Sequence, residues 1–213
     1  MKIEQLDLGL VYMPEFIDRP DLIIKDIEDL DQLLNRYPDK ASKSRAQRWG
    51  KWEDGNQFFC WQKGIFNVDD LNPNDPFYEE QFHIAKRLFE PLDQALEEYY
   101  KIFPIAGQNV KGREGQMHIL KFEAGHYLPP HADQGISTRI LSGLTYLNDD
   151  YEGGELNFPQ SNIKIKPKAG SILFFPSNFV YVHSIDLMTS GSRYALPHWY
   201  HNRKEIVESN GSV

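Results

Sequence analysis

The sequence predicts an α+β fold with a mainly β core and its helices packed on one outer face of that core. Three observations predict it. Apolar residues recur at helical spacing only within 20–37 and 76–103. After Gly115 the chain breaks into short β-type runs bounded by Gly, Pro, Asn and Asp. The 213 residues suffice for one domain with a sizeable core, and no repeat or linker divides them.

In the first helical stretch Ile23, Ile27, Leu30 and Leu34 share a face, with Asp and Glu between them. Residues 49–61 follow as an aromatic, irregular segment carrying Trp49, Trp52, Phe58, Phe59 and Trp61. In 76–103, Phe82, Ala85, Phe89, Leu92, Leu96 and Tyr99 line a second face, and Pro91 makes this either a kinked helix or two helices. Strands are expected at 116–123, 139–148, 155–158, 162–166, 171–175 and 193–200. Turn chemistry at Asn148-Asp-Asp-Tyr-Glu-Gly-Gly154 and Lys168-Ala-Gly170 separates them. Strands this short with turns this regular suggest a sandwich or barrel. Residues 1–110 then read as helical and irregular support, 111–205 as the core, and 208–213 as a frayed tail.

Composition excludes several classes. A net charge of −8 counts against duplex nucleic acid as the main partner. The local basic stretch with Lys43, Arg45 and Arg48 reads as a solvated face. Cys60 is the one cysteine, so there is no disulfide framework or thiolate metal site, and it reads as a small core hydrophobe. No apolar run reaches membrane-spanning length and residues 1–15 lack a signal-peptide layout, so a soluble, cytoplasmic setting is expected.

The chemistry lies in the second half. In His131-Ala-Asp133, residues two apart on an extended strand direct an imidazole and a carboxylate to one side. Alone, the pair reads as a hydrogen-bonded contact at a loop edge. His183, in Phe179-Val-Tyr-Val-His183, follows the apolar run that ends at Pro176; by itself it reads equally as a buried, satisfied histidine. Together, two imidazoles and one carboxylate occupy one face of an octahedron and leave three positions open, which suits non-haem iron(II). Zinc, with a four-coordinate site, competes. Arg193 follows His183 by ten residues. An inward guanidinium is expensive unless it meets an anion, and a dicarboxylate cosubstrate provides one.

These residues, in this order and spacing, resemble the 2-oxoglutarate/iron(II)-dependent dioxygenase superfamily, specifically its prolyl 4-hydroxylase-like branch. Gly125 lies six residues before His131, as in that branch. Leu144-Thr-Tyr-Leu-Asn148 with Glu152-Gly-Gly-Glu-Leu156, Lys168-Ala-Gly-Ser-Ile-Leu-Phe-Phe175 and Ser190-Gly-Ser-Arg-Tyr-Ala-Leu196 resemble its later strands and turns. The likeness covers roughly residues 113–202. It implies a double-stranded β-helix (jelly roll), with iron(II) on His131, Asp133 and His183 and the 2-oxoglutarate tail on Arg193. By the same resemblance Tyr146 adds a hydroxyl to that tail, while Arg139 and Trp199 line the substrate entrance. For Tyr146, Arg139 and Trp199 an ordinary structural role stays open.

Two positions depart from the branch. Phe122 and Leu128 stand where tyrosines are common, with Tyr127 adjacent to the second. Hydrogen bonds near the oxo-acid or the substrate are therefore expected to differ.

The implied reaction consumes O2 and 2-oxoglutarate, gives succinate and CO2, and hydroxylates an unactivated C–H bond, with ascorbate as a possible reductant. Leu173, Phe175 and Val182 are apolar residues suited to keeping water out. The substrate expected first is a prolyl residue in a peptide or protein, against which the 49–61 aromatics could pack. A free amino acid or small molecule, a nucleobase, a zinc hydrolase and a non-catalytic jelly-roll binding module are the competing readings.

Overall fold

Alternation along the strands sorts the molecule into layers, because successive side chains leave a strand on opposite faces. The computed structural model describes residues 2–55, 57–135 and 138–202. The expected tail at 208–213 lies outside them. The N-terminal half contains β1 (Glu4–Asp7), β2 (Leu10–Met13), α1 (Pro20–Arg36), α2 (Pro38–Ala41), β3 (Gly50–Asp54), β4 (Gln57–Phe66), α3 (Tyr78–Ile102) and α4 (Pro104–Asn109). Then come β5 (Gly112–Arg113), β6 (Gln116–Glu123), β7 (Leu128–His131), β8 (Arg139–Tyr146), β9 (Glu152–Gly153) and β10 (Leu156–Phe158). The last are β11 (Ile163–Ile165), β12 (Ile172–Pro176), β13 (His183–Ile185), β14 (Met188–Ser190) and β15 (Ser192–His201).

A large antiparallel sheet runs in the order β1-β2-β12-β8-β15-β6-β4-β3, with β5 paired to β15. A small sheet, β11-β10-β13-β7, covers part of it, and β14 pairs with β9. The result is an open sandwich, not a closed barrel.

One face of the large sheet meets the helices. Val11, Met13, Ile65, Met117, Ile119, Leu141, Ile172, Phe174 and Leu196 pack there against Ile23, Ile27, Leu30 and Leu34 of α1 and the apolar face of α3. The opposite face carries Leu144, Tyr146, Leu173 and Phe175 and meets Leu156 and Phe158 of the small sheet. Burying a side chain of this size contributes roughly 1.5–3 kcal/mol, so both layers are held chiefly by apolar area. The helical layer also has polar ties to α1. Lys63 Nζ lies 3.0 Å from Asp31, and Tyr194 donates to Glu28 at 2.8 Å.

Several expectations need correction. Residues 50–66 are not irregular: β3 and β4 form a hairpin with a bulge at Trp52/Glu53. Aromatics on both of its faces conceal the alternation. Pro91 does not divide the second helix, since α3 continues through it. Buried Leu88, Phe89, Leu92 and Ala95 flank the proline, and their packing outweighs its cost of about 3 kcal/mol. The buried face of α3 centres on Ile84, Ala85 and Leu88; Phe82 is half-buried and stacks on Tyr78. Cys60 is fully buried, as expected, and burial pushes its thiol up to about 12. Among the described residues no helix is long and apolar enough to cross a membrane.

Candidate active site

The small sheet positions the two imidazoles. His131 ends β7 and His183 begins β13, and the two are direct register partners. Asp133 is not on the strand with His131, as the two-residue spacing suggested. It opens a 3-10 turn, Asp133–Gly135, held where Gln134 N–H donates to the Ser177 carbonyl at 3.0 Å. The turn, rather than strand alternation, brings the carboxylate back between the rings. Asp133 Oδ1 lies 3.7 Å from His131 Nε2 and Oδ2 lies 4.0 Å from His183 Nε2. One donor atom from each residue falls within 4.8 Å of the others.

Both rings are oriented from behind. His131 Nδ1 is 3.0 Å from the Pro129 carbonyl, and His183 Nδ1 is 3.1 Å from the Tyr181 carbonyl. As donors to carbonyls, the Nδ1 atoms leave each Nε2 lone pair free toward the shared point. Burial pushes the His183 imidazolium down to about 4, against the opposing pull of Asp133, so the ring is neutral at pH 7. Phe175 and Phe158 flank it at 4.9 and 5.6 Å between centroids. Of the three apolar residues expected around the site, Leu173 and Phe175 belong to this core, whereas Val182 is only half-buried and Phe158 packs closer.

Arg193 lies on β15, on the face turned toward the small sheet, with no solvent exposure. Its guanidinium sits 5.2 Å from the Phe122 ring centroid and 4.9 Å from that of Tyr146. Nε, Nη1 and Nη2 have no hydrogen-bond partner among the described residues. A buried cation without an anion costs several kcal/mol, and this one could receive an anionic ligand. The Tyr146 hydroxyl beside it is also buried and unpartnered. Burial raises its pKa and the Arg193 charge opposes the rise. Gly154 allows this crowding: a Cβ there would meet Met188 Sδ at 2.3 Å and Arg193 Cδ at 3.3 Å, at a φ of +66°.

Arg139 and Trp199 come together, the guanidinium carbon 4.0 Å from the indole centroid. Glu114, which sequence reasoning missed, accepts from Arg139 Nε at 2.9 Å and Nη2 at 2.6 Å. His201 Nε2 lies 3.3 Å from the same carboxylate oxygen. Tyr151 was missed too. The signal available for it was an aromatic residue inside an otherwise polar turn.

At the departures, Phe122 stacks on Arg193 and brings no donor. Tyr127 does not stand in for Leu128: it is exposed and accepts from Gln57 at 2.8 Å, while Leu128 is buried. In the basic stretch, Arg45 lies over Phe66 at 4.2 Å and Arg48 donates to the Leu34 carbonyl at 2.7 Å, both structural contacts.

A family model described as the 2OG-Fe(II) oxygenase superfamily matches residues 117–201. A putative prolyl 4-hydroxylase of Acanthamoeba polyphaga mimivirus is 36% identical over 186 residues, 82% of this chain and 74% of that protein. Human prolyl 3-hydroxylase 3 is 35% identical over 81 residues, 33% of this chain. The chain spans only 11% of the length of that relative. Among solved structures, a prolyl hydroxylase from Trichoplax adhaerens, in complex with a hypoxia inducible factor oxygen degradation domain peptide fragment, has a TM-score of 0.65 at 19% identity. That match covers 95% of this chain and 88% of the other. A Pseudomonas putida prolyl-4-hydroxylase gives 0.53 at 16% identity, over 92% and 93%. These structural likenesses show the fold, a jelly roll left open at its edges.

Proposed function

The chain belongs to the 2OG-Fe(II) oxygenase superfamily, in its prolyl 4-hydroxylase-like branch, and from that premise we propose that it hydroxylates a prolyl residue of a peptide or protein. The cofactors of the family are iron(II), 2-oxoglutarate and O2. With these bound, O2 would be the oxidant, one oxygen atom entering the C–H bond and the other entering succinate as 2-oxoglutarate is oxidatively decarboxylated with release of CO2. Ascorbate belongs to the same proposal as the reductant that maintains the iron.

The observation that carries this reading is the unpartnered guanidinium of Arg193, buried in the same layer as a two-histidine, one-carboxylate set. That donor set alone suits zinc as well as iron. An anion receptor beside the donor set is what a 2-oxoglutarate tail requires, and with the family match it favours the oxygenase over a zinc hydrolase. His131, Asp133 and His183 would hold the metal, Arg193 would pair with the far carboxylate of 2-oxoglutarate, and Tyr146 would donate to it. Phe158, Leu173 and Phe175 keep the metal side of the layer dry. Glu114 holds Arg139 against Trp199, which makes a rigid cationic and aromatic wall for the substrate entrance.

The prolyl part rests on the relatives, which are named as prolyl 3- and prolyl 4-hydroxylases. Iron-loaded protein incubated with 2-oxoglutarate, O2 and a panel of proline-containing peptides tests it. The expected result is a mass gain of one oxygen on proline, matched by succinate. Oxygen incorporation into free amino acids and none of the peptides would overturn the peptide substrate and leave the chemistry in place.

A further inference from the structure

Tyr151 lies in the turn between β8 and β10, where a polar residue would ordinarily face water. Instead it is 2% exposed, packed with Phe122, Leu128 and Met188. Its placement is fixed from both sides. Lys166 Nζ donates to the Tyr151 carbonyl at 2.6 Å, and the Gly191 backbone leaves no room for a Cβ, which would fall 3.0 Å from Tyr151 Cα. The hydroxyl nevertheless has no hydrogen-bond partner among the described residues. Phe122 and Met188, in the same cluster as Tyr151, also flank Arg193: the guanidinium lies 5.2 Å from the Phe122 ring centroid, and a Cβ on Gly154 would meet both Met188 and Arg193. Burial raises the Tyr151 pKa and the Arg193 charge opposes the rise.

Two further unpartnered groups, the Tyr146 and Tyr151 hydroxyls, therefore belong to side chains packed around the unpartnered Arg193 fork. Leaving any one of them dry is costly, and leaving three together costs more. Their donor count has a natural counterpart. A carboxylate offers about four lone-pair sites, of which a bidentate arginine takes two and two phenols take the others. A neutral or monodentate guest leaves donors unsatisfied. Phe122, stacked on the same guanidinium, contributes no hydroxyl, so the second phenol has to come from elsewhere in the pocket.

We propose that the Tyr151 hydroxyl donates to the distal carboxylate of the cosubstrate, alongside Arg193 and Tyr146, and that the three make the site selective for a dicarboxylic oxo-acid. The inference rests on the cofactor reading given under Proposed function. Tyr151 then acts on affinity and cosubstrate choice rather than on the metal.

The test compares two oxo-acids in anaerobic titrations of the iron(II)-loaded full chain, following the visible charge-transfer band. One is 2-oxoglutarate; the other is 2-oxobutyrate, which has the same chelating end and no distal carboxylate. Tyr151→Phe keeps the ring in its packing, and its melting curve checks that it folds. The expected result is a Kd for 2-oxoglutarate weakened roughly tenfold, the scale of one hydrogen bond to a charged group, with 2-oxobutyrate unchanged. An unchanged Kd for 2-oxoglutarate overturns the inference alone. Equal weakening of both acids overturns it as well, because a structural disturbance does not distinguish them. Wild-type protein that gives no band with either acid overturns the cofactor reading, and the inference with it.

Discussion

Lys63 and Arg193 are both cations without solvent exposure on the same large sheet, and they face opposite ways. Lys63, on β4, points under the helices and meets Asp31 of α1 at 3.0 Å. Burial pulls its pKa down and that carboxylate pulls it back up. Arg193, on β15, points toward the small sheet and meets two aromatic faces but no anion among the described residues. A buried charge that the fold satisfies is part of the fold, whereas one that it leaves unsatisfied is, on the proposed function, a receptor for a ligand. The same contrast extends to the layers. Polar groups under the helices tie α1 down, while Arg193, Tyr146 and Tyr151 on the other side are left unpartnered among the described residues.

The largest effect expected from this contrast is on the structural side. Asp31→Asn leaves Lys63 buried without its carboxylate and costs about 3 kcal/mol of stability, read by urea unfolding, with the 2-oxoglutarate Kd unchanged. Arg193→Met removes a charge without a hydrogen-bond partner among the described residues. Without ligand, that variant is expected to gain about 1–2 kcal/mol in the same measurement. A loss comparable to that of Asp31→Asn would mean that Arg193 is structural and break the distinction.

Acid sharpens it further. His198 lies fully buried under the helices, 3.2 Å from Thr145 Oγ1 and against Gly143, where a Cβ would fall 1.9 Å from its ring. Burial holds its pKa well below 6.5, with Arg113 adding to the effect. Above pH 6.5 the ring is neutral in both folded and unfolded chains, and it contributes no pH dependence. Below 6.5 the unfolded chain takes a proton that the fold refuses, so stability falls as pH drops, by at most about 1.4 kcal/mol per pH unit from this group. His198→Gln should flatten the urea-measured profile below pH 6.5 by that share; an unaltered slope would contradict the assignment. The smallest effect is at Tyr146. Tyr146→Phe should weaken 2-oxoglutarate about fivefold in the same titration and leave the melting temperature within a degree or two, since the ring stays and only an unpartnered hydroxyl goes.

How much of this was legible in the sequence follows the physics of each element. The face of α1 could be read because Ile23, Ile27, Leu30 and Leu34 are separated by charged residues, and all four are buried. Strand β6 was read with its observed bounds. Strand β7 was hidden by Pro129 and Pro130, which lack the N–H a strand interior needs. They are tolerated because β7 is an edge of the small sheet, paired only with β13. The hairpin of β3 and β4 was hidden by tryptophans and phenylalanines on both faces.

At the site, the meeting of His131, Asp133 and His183 was legible from residue types and spacing, but the route was not. Asp133 reaches its place through a turn, and that depends on a backbone bond from Gln134 to Ser177, far apart in sequence. Arg193 was legible as an inward, buried guanidinium only in company with the histidines. Tyr151 was legible only as an aromatic residue in a polar turn, its burial coming from the fold-back at Gly153 and Gly154, and Glu114 was not legible. The second becomes meaningful only when Arg139, Trp199 and His201 reach it from other strands.

The central claim is that Arg193 is held unpaired to receive the carboxylate tail of 2-oxoglutarate. It is tested most directly by anaerobic titration of the iron(II)-loaded wild type, Asp31→Asn and Arg193→Met with 2-oxoglutarate, following the charge-transfer band. The account predicts the same saturable band in wild type and Asp31→Asn, and a Kd weakened roughly a hundredfold or more in Arg193→Met. Wild-type affinity in folded Arg193→Met would contradict it.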